Sequence, residues 1–529
     1  MIRSKGNNEM KLERTKNATR NMLFGFILKA YQIVIPFVMR TAMIYLLGAQ
    51  YLGLNSLFIS VLQVLNLAEL GIGSAMVYSM YKPIVEDDKA KICALMNLYR
   101  KYYHIIGVVI FLLGMVLLPF IPRLIKGDVP ADINVYILYL MNLIATVLSY
   151  WLFAYKNSIL TAHQRNDITS KVMLLTETCK YALQLIVLVF ARNYYLYVLV
   201  ILMTQVVTNI LTAIIADKMY PEYQAKGKLL PEEVNEINVR IRDLFTSKLG
   251  YVIVNSADTI VISAFLGLTV LAIYQNYYYL ITAVTGFIAI IFTSLTAGVG
   301  NSLISETREK NFSDFKKITF LITWIVGLGS ICFLSLFQPF MELWVGKELL
   351  LDFPTVICLC VYFYISEINA LLNLYKDAAG MWHEDRFRPL VTALANLFMN
   401  LIMVQFIGIY GIILSTVLSI MLVGMPWLLH NLFSVIFDKT NIKKYIFQLL
   451  KYACITIITG AITYRICLFV NVALFPTLII RLCICLVVPN IIFFFTYHKQ
   501  PEYKECIILI NKMTKGKISF LNKTCEINA

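Results

Sequence analysis

The sequence predicts an all-α polytopic membrane protein with about fourteen transmembrane helices, and three observations support this fold class. Hydrophobic residues make up 59% of the 529-residue chain and charged residues only 15%, against roughly 25% charged residues in soluble domains. The apolar residues are grouped into runs of about twenty, the length that a membrane-spanning helix needs. Landmarks of the first six runs also recur in the next six.

The predicted spans follow one another as two sets of six and a terminal pair. The first set comprises residues 23–48, 51–80, 98–122, 134–162, 172–191 and 195–216. The second set comprises residues 247–267, 273–298, 316–338, 354–376, 389–407 and 410–431. The terminal pair, 445–469 and 474–497, has no counterpart in the repeat. We therefore expect two six-helix lobes and a separate helix pair.

Short matches between the two sets indicate an internal duplication. They are Gly48 and Gly267, Gly71 and Gly298, Gly73 and Gly300, Lys91 and Lys317, Pro119 and Pro339, and His163 and His383. Because each set has six spans, both copies start on the same side of the membrane. Such a parallel repeat is used by transporters that work by alternating access. The duplication therefore predicts that the protein moves a substrate across a bilayer.

The net charge of +15 indicates membrane orientation rather than nucleic-acid binding. If the N-terminus is cytoplasmic, 37 Lys and Arg residues fall in the inside segments and only 4 in the outside loops. This bias follows the positive-inside rule and predicts that both termini are cytoplasmic. The charges alternate with spans and form no single patch, so we expect no nucleic-acid partner.

The segments outside the spans complete the predicted organisation. We expect 1–22 as a basic N-terminal segment, 23–216 as the N-lobe, 217–246 as an inter-lobe linker, 247–431 as the C-lobe, 445–497 as the terminal pair and 498–529 as a basic tail. The first segment has neither an apolar core nor a cleavage site, so we do not expect it to be a signal peptide. The outside loops are too short to house an enzymatic domain, and we expect no enzyme activity.

The linker is predicted to form a helix that starts at Pro231, since proline and the acidic residues after it favour a first helical turn. Its apolar residues recur at helical spacing: Val234, Ile237, Ile241, Leu244 and Phe245. The pattern fits an amphipathic basic helix on the inner leaflet. An ordinary solvated linker helix fits equally well.

No cofactor is predicted. The eleven cysteines show no metal-ligand spacing, and Cys358, Cys360, Cys483 and Cys485 lie in apolar spans, where cysteine acts as a small hydrophobe. The glycine pair at Gly71 follows no strand, and the chain contains no phosphate-binding GxxxxGK[ST] motif.

Ionisable residues at membrane depth are costly and are therefore candidates for function. Lys29 and Arg40 in the first span are eleven residues apart, which places them on one helix face about 16 Å apart along the axis. Gln32 and Pro36 fall on the same face, so the stripe is predicted to line a wet cavity. Alternatively, Lys29 extends its ammonium group to the inner interface.

Two further spans contribute polar candidates. The second span carries Asn66 and Glu69 on a polar face, and we expect both to line the cavity. The seventh span carries Asn255, a further cavity candidate, and Asp258. Asp258 is predicted to pair with Arg40 as a gate or as a structural contact. If Asp258 is unpaired, its carboxyl would have a raised pKa, which would suit proton coupling.

Residues 255–267 read NSADTIVISAFLG and are followed by Ala272-Ile-Tyr274. This order of an aspartate, a glycine turn and a tyrosine resembles span 7 of the Wzx-like polysaccharide flippases. That family belongs to the multidrug/oligosaccharidyl-lipid/polysaccharide superfamily. The resemblance extends over nearly the whole chain through the span count, the two lobes and the basic start. It implies a MATE-like fold of two six-helix lobes plus a terminal helix pair.

The resemblance also implies a function in the bacterial cytoplasmic membrane. Such flippases move undecaprenyl-pyrophosphate-linked oligosaccharide repeat units to the outer leaflet by alternating access, coupled to an ion gradient. The expected partners are this lipid-linked substrate, membrane lipid and glycan-assembly proteins. A pyrophosphate needs cations at depth, and Arg40 and Lys29 would supply them.

Two alternatives remain open at this stage. A MATE-type drug or cation antiporter shares twelve spans and the duplication, although the extra helix pair and the cationic first helix favour the flippase. A polytopic glycan polymerase or ligase would need a sizeable outer loop with catalytic residues, and this chain has only short ones.

Overall fold

The structure, a computed structural model, describes the backbone of residues 2–127, 129–470 and 472–513. It describes their side chains apart from those of residues 2–19, 22, 243, 246–248, 251, 255, 297 and 509–513. Every regular element in this described part is a helix. The predicted all-α membrane fold is confirmed.

Contacts divide the chain into two compact units, Met1–Ala272 and Ile273–Ala529. The helices of the first unit are α1 (Ile2–Leu46), α2 (Ala49–Leu65), α3 (Ile72–Val85), α4 (Lys89–Leu117), α5 (Val135–Trp151), α6 (Asn157–Ala162), α7 (Asn166–Ile186), α8 (Tyr194–Met219) and α9 (Pro231–Leu266). Those of the second are α10 (Leu268–Ser305), which starts just before the boundary, α11 (Arg308–Val345), α12 (Phe353–Ala378), α13 (Arg388–Ser419), α14 (Met425–Val435), α15 (Ile442–Leu468), α16 (Leu474–Tyr497) and α17 (Pro501–Met513).

The described residues contain 11 helical stretches long and apolar enough to cross a membrane. The pair α5 and Ala154–Ala162, bent by 47°, is a broken span or a re-entrant loop and raises the number to 12 if it counts as one span. The apolar part of α9, Val252–Leu266, is shorter but coincides with predicted span 7. One stretch, Arg388–Val435, is 48 residues long, more than twice the length that a single crossing needs.

That long stretch is a helical hairpin. Its backbone leaves helical geometry at Ile407 and at Gly408, where φ is 55°. The amide of Asn396 donates to Thr416 Oγ1 over 2.8 Å. In one straight helix these two residues would lie about 30 Å apart, so the chain must reverse between them. The turn falls between the predicted spans 389–407 and 410–431.

Helix α9 joins the predicted linker helix and span 7 in one continuous element. Pro231 opens it, and the Glu233 carboxylate accepts from the backbone N–H of Leu230 over 3.2 Å, which satisfies a free donor at the helix start. The helix packs against α2 and α3 within the first unit. The location of this helix on the inner leaflet and the lobe boundaries stay predictions.

The crossing of α2 with the start of α10 is very close. A Cβ atom on Gly53 would lie 2.2 Å from the carbonyl oxygen of Leu268. The backbone N–H of Lys126 also donates to the carbonyl oxygen of Ser263 over 2.9 Å. A small residue such as glycine permits a close helix approach in membranes. The hydrogen bond from Lys126 ties α9 to the first unit.

The terminal helices α15 and α16 pack on α11 in the second unit. An aromatic cluster around Phe320, Tyr452, Phe493 and Tyr497 fills this interface. The indole N–H of Trp324 donates to Asn490 Oδ1 over 2.8 Å. The pair without a counterpart in the repeat is thus an integral part of the second unit.

Candidate functional site

The candidate site lies where predicted span 2 is interrupted. The sequence predicts one helix over 51–80, but α2 ends at Leu65, a 3₁₀ turn covers Asn66–Glu69, and α3 begins at Ile72. The prediction of an unbroken helix is wrong there. Gly71 adopts φ 90°, a left-handed conformation that favours glycine. The break turns Asn66 and Glu69 away from a regular helix face.

Contacts with α9 explain why the break occurs at Gly71. A Cβ atom at this glycine would lie 2.7 Å from Leu244 Cβ and 3.0 Å from the carbonyl oxygen of Ile241. A Cβ atom on Gly73 would lie 3.0 Å from the Tyr99 hydroxyl. The close packing at Gly71 and Gly73 brings the tyrosines of α4 next to the break.

Tyrosine hydroxyls hold both carboxylate oxygens of Glu69. Tyr103 on α4 donates to Oε1 over 2.7 Å, and Tyr150 on α5 donates to Oε2 over 2.8 Å. Tyr99 donates in turn to the Tyr103 hydroxyl over 2.6 Å. Hydrogen bonds to an ionised group stabilise its charge, so this network supports a carboxylate at membrane depth. Glu69 forms no ion pair with any described residue.

Glu69 lines a cavity of about 520 Å³. The lining residues come from the 3₁₀ turn, α3, α4, the turn before α6 and α6 itself: Glu69, Gly73, Ser74, Val77, Tyr78, Tyr81, Tyr99, Tyr103, Ala154, Asn157, Ser158 and Thr161. A single charged side chain, the Glu69 carboxylate, occurs among them. The cavity therefore combines one anion with aromatic rings, hydroxyls and an amide.

Arg240 of α9 lies at the rim of this cavity. Its guanidinium stands 4.9 Å from the ring centre of Tyr78 and donates to Ser79 Oγ over 3.3 Å. A cation over an aromatic face is attracted by the ring's negative face. The arginine therefore covers one face of Tyr78 without lining the cavity.

The predicted cationic stripe lies on α1. Lys29 is exposed, whereas Gln32 and Arg40 are partly buried. Arg40 interacts electrostatically with Tyr197 of α8. The role of these three side chains in lining a substrate cavity stays a prediction.

The remaining predicted residues have distinct environments. Asn66 Oδ1 is buried and accepts no hydrogen bond from any described residue. Asp258 is buried on α9, and its pairing with Arg40 and its role in ion coupling stay predictions. The side chain of Asn255 lies outside the described residues.

Sequence reasoning found Glu69 but missed the tyrosines that hold it. Tyr99 and Tyr103 are four residues apart and thus on one helix face, a signal that could have been read. Tyr150 is 81 residues from Glu69, and no sequence pattern links the two. The exposed rings of Tyr78 and Tyr81 were also missed.

A second cavity of about 320 Å³ lies in the second unit. It is lined by Gly300, Leu303, Ile304, Glu306, Arg308, Asn311, Ala378, Ala379, Val435 and Ile436. Gly300 is the counterpart of Gly73 in the predicted repeat. Arg308 pairs with Asp438 over 3.9 Å, and Glu306 also lines the wall, so this cavity contains charges of both signs and no aromatic ring.

Comparisons with known proteins support the same fold. The family described as "Polysaccharide biosynthesis protein" matches residues 18–296, more than half of the chain. No curated protein matches the sequence.

Among solved structures, the lipid II flippase MurJ in an inward closed conformation is similar with a TM-score of 0.67 at 16% identity, covering 90% of this chain and 99% of that one. An inward-facing multidrug resistance MATE family transporter has a TM-score of 0.60 at 14% identity, with 79% and 99% coverage. A mutant form of the Vibrio cholerae MATE transporter VcmN has a TM-score of 0.51 at 14% identity, with 79% and 98% coverage. At these identities the likeness shows the fold.

Proposed function

Because the chain belongs to the polysaccharide biosynthesis protein family, we propose that it is a flippase for undecaprenyl-pyrophosphate-linked oligosaccharide repeat units. It moves the glycan head group from the inner to the outer leaflet of the bacterial cytoplasmic membrane, with both termini in the cytoplasm. The family match carries this proposal. The polar cavity between membrane-spanning helices and the charge bias of the loops support it.

The proposed mechanism is alternating access driven by an ion gradient. Arg40 and Lys29 bind the pyrophosphate through charge-assisted hydrogen bonds, which are about twice as strong as neutral ones. Gln32, Asn66, Glu69 and Asn255 contribute polar contacts along the substrate path. Asp258 acts as the ion-coupling or gating group, and enzymes of glycan assembly deliver and receive the lipid-linked substrate.

The decisive residue for this proposal is Arg40. We expect Arg40→Ala to abolish export of surface glycan in a strain that depends on this protein, because the pyrophosphate loses its deep cation. Arg40→Lys should retain part of the export, since it keeps the charge but loses bidentate geometry. Export is measured by surface-glycan staining, with membrane insertion checked by immunoblot.

A matched control removes a cation outside the proposed path. Lys347→Ala deletes an exposed lysine next to α11, and export should stay normal. Normal export by Arg40→Ala would contradict the role of Arg40.

One observation favours a second candidate, a MATE-type antiporter of organic cations. A carboxylate surrounded by tyrosine rings attracts organic cations through charge and ring faces, and Glu69 has this surrounding. In that case, Glu69→Gln would sensitise cells to cationic compounds such as ethidium, while surface glycan would not depend on the protein. Unchanged sensitivity on deletion of the gene excludes this candidate.

A further inference from the structure

We propose that the cavity around Glu69 is a saccharide-binding subsite that holds a sugar residue of the transported glycan, apart from the cations that bind its pyrophosphate. This inference rests on the proposed function and adds which part of the substrate this cavity takes. Four properties of the cavity carry it: spare acceptor capacity at Glu69, open aromatic faces, unused donors on α6, and a charge that disfavours phosphate.

Glu69 has acceptor capacity left for sugar hydroxyls. An ionised carboxylate offers about four lone-pair positions, and two tyrosine hydroxyls occupy one on each oxygen. The tyrosines hold the carboxylate in a defined orientation before a ligand arrives. Such preorganisation lowers the entropic cost of binding. A pair of neighbouring sugar hydroxyls can therefore donate to the two oxygens.

Two tyrosine rings at the cavity are exposed on one face of α3. Tyr78 and Tyr81 are 61% and 43% exposed, and their ring centres lie 6.2 Å apart at 74°. Arg240 covers only one face of Tyr78. The C–H face of a pyranose carries partial positive charge and suits the negative face of an aromatic ring. The two rings thus offer stacking surfaces at steep angles to each other next to the carboxylate.

Helix α6 contributes hydrogen-bond donors that donate to no described residue. Asn157 Oδ1 accepts from Thr169 Oγ1 over 2.9 Å, while its amide N–H groups donate to no described residue. Thr161 lies one turn further on the same face and also lines the cavity. Sugar hydroxyls act as both donors and acceptors, and the cavity presents partners of both kinds.

Charge and size point to the sugar part of the substrate. The cavity volume falls within the range of about 300–1,000 Å³ that is typical of small-molecule sites. Its lining has one negative charge and no lysine or arginine, and Arg240 at the rim is turned to Tyr78 and Ser79, so the wall offers no cation to a pyrophosphate. A neutral or amino sugar is compatible with this charge.

The test measures binding of the free glycan to the full-length protein in nanodiscs. The probe is the oligosaccharide released by mild acid from the lipid-linked repeat units of the source strain, and affinity is measured by calorimetry. We expect Glu69→Gln and Tyr81→Ala each to weaken binding at least tenfold. Lys347→Ala, which removes an exposed lysine outside the proposed path, should bind the free oligosaccharide as the unaltered protein does.

Two controls keep the test specific. Tyr81 is exposed, so its loss leaves the hydrogen-bond network of Glu69 intact and the fold is retained. Tyr136→Ala removes an equally exposed tyrosine of α5 outside the cavity, and binding should not change.

The outcomes separate this inference from the proposed function. Unaltered binding by Glu69→Gln and Tyr81→Ala would overturn the subsite, even if Arg40→Ala still abolishes export. No binding of the oligosaccharide, together with Glu69-dependent binding of tetraphenylphosphonium, would overturn both the subsite and the flippase function.

Discussion

The two cavities occupy equivalent places in the predicted repeat but differ in chemistry. Gly73 lines the first and Gly300 the second. The first contains one anion, held by tyrosines, whereas the second contains the carboxylate of Glu306 and the guanidinium of Arg308, which pairs with Asp438, and has no aromatic ring in its wall. The comparison teaches that two positions matched in the predicted repeat can each line a cavity while the two cavities differ in chemistry. We therefore assign recognition of the sugar to the first cavity.

Each half also has a buried aspartate near the start of a helix, and the two aspartates differ in their cation partners. Asp167 lies in the first turn of α7 and contacts Arg165, Arg20 and Lys171. Asp385 lies just before α13 and is held chiefly by Arg388, through two hydrogen bonds of 2.7 Å. Both carboxylates are almost inaccessible, with 0% and 2% exposure. The first charge is shared among three cations, and the second depends mainly on one.

The largest expected effect on stability follows from that difference. Arg388→Ala leaves Asp385 buried with Lys376 at 3.9 Å as its remaining cation and the Asn431 amide at 3.2 Å as a neutral donor, and losing a buried charged partner costs about 3–5 kcal/mol. Arg165→Ala should cost clearly less, because two cations remain at Asp167. The free energy of unfolding in mixed detergent micelles measures both.

Arg386→Ala is the control, since it removes an exposed arginine two residues away and should change stability by less than about 0.5 kcal/mol. Equal losses for Arg388→Ala and Arg165→Ala would remove the contrast between the two aspartates.

A second contrast concerns the glycines at equivalent positions, Gly71 and Gly298. Gly71→Ala should destabilise the protein by about 1–2 kcal/mol for the left-handed backbone alone, with a further cost from Leu244. Gly298 is helical within α10 and has open space around it. Gly298→Ala should therefore stabilise by about 0.5–1 kcal/mol. The same unfolding measurement checks the opposite signs, and a shared sign would mean that the two positions are alike.

The smallest expected effect concerns the equivalent lysines at the starts of α4 and α11. Lys91 pairs with Glu233 at the start of α9, and Lys317 pairs with Glu505 of α17 over 2.7 Å. Partly exposed pairs contribute about 0–1 kcal/mol. Lys317→Ala should loosen α17 more than Lys91→Ala loosens α9, because α17 has 13 residues and α9 continues into a span.

Hydrogen exchange of residues 231–240 and 501–508 measures this loosening, with Lys89→Ala as the control.

The pH dependence of exchange at the start of α9 is a second test of the Lys91–Glu233 pair. The hydrogen bond from Lys91 lowers the pKa of Glu233. Its stabilisation is therefore present above the unfolded value of about 4.3 and is lost as the pH falls through the lowered folded value. If exchange at residues 231–240, corrected for intrinsic rates, stays constant from pH 6 to below pH 4, the Lys91–Glu233 pair does not stabilise the start of α9.

Much of the fold could be predicted because it depends on solvent preference along the chain. Apolar runs must become helices in a bilayer, where each backbone group needs an internal partner, and the runs are visible in the sequence. The hairpin turn at Gly408 was predicted for the same reason. The break at Gly71 was not, because the preceding residues suit a continuous helix and the contacts with Ile241 and Leu244 are distant in sequence.

The candidate site shows the same limit. Glu69 was predicted because a carboxylate in an apolar run is costly and visible. Its partners were not, since Tyr150 is 81 residues away and tyrosines are frequent in this chain, with 32 of them.

The sequence by itself determined the helical membrane fold, the spans and the residues whose polarity conflicts with a bilayer, because these follow from the free energy of transferring each segment out of water. Only the tertiary structure decided where span 2 breaks, which tyrosines hold Glu69 and that α9 packs with the first unit. Those outcomes depend on contacts between residues that are distant in sequence. A steric clash of a few tenths of an ångström, or one hydroxyl within hydrogen-bond distance, decides which of several possible packing arrangements the chain adopts.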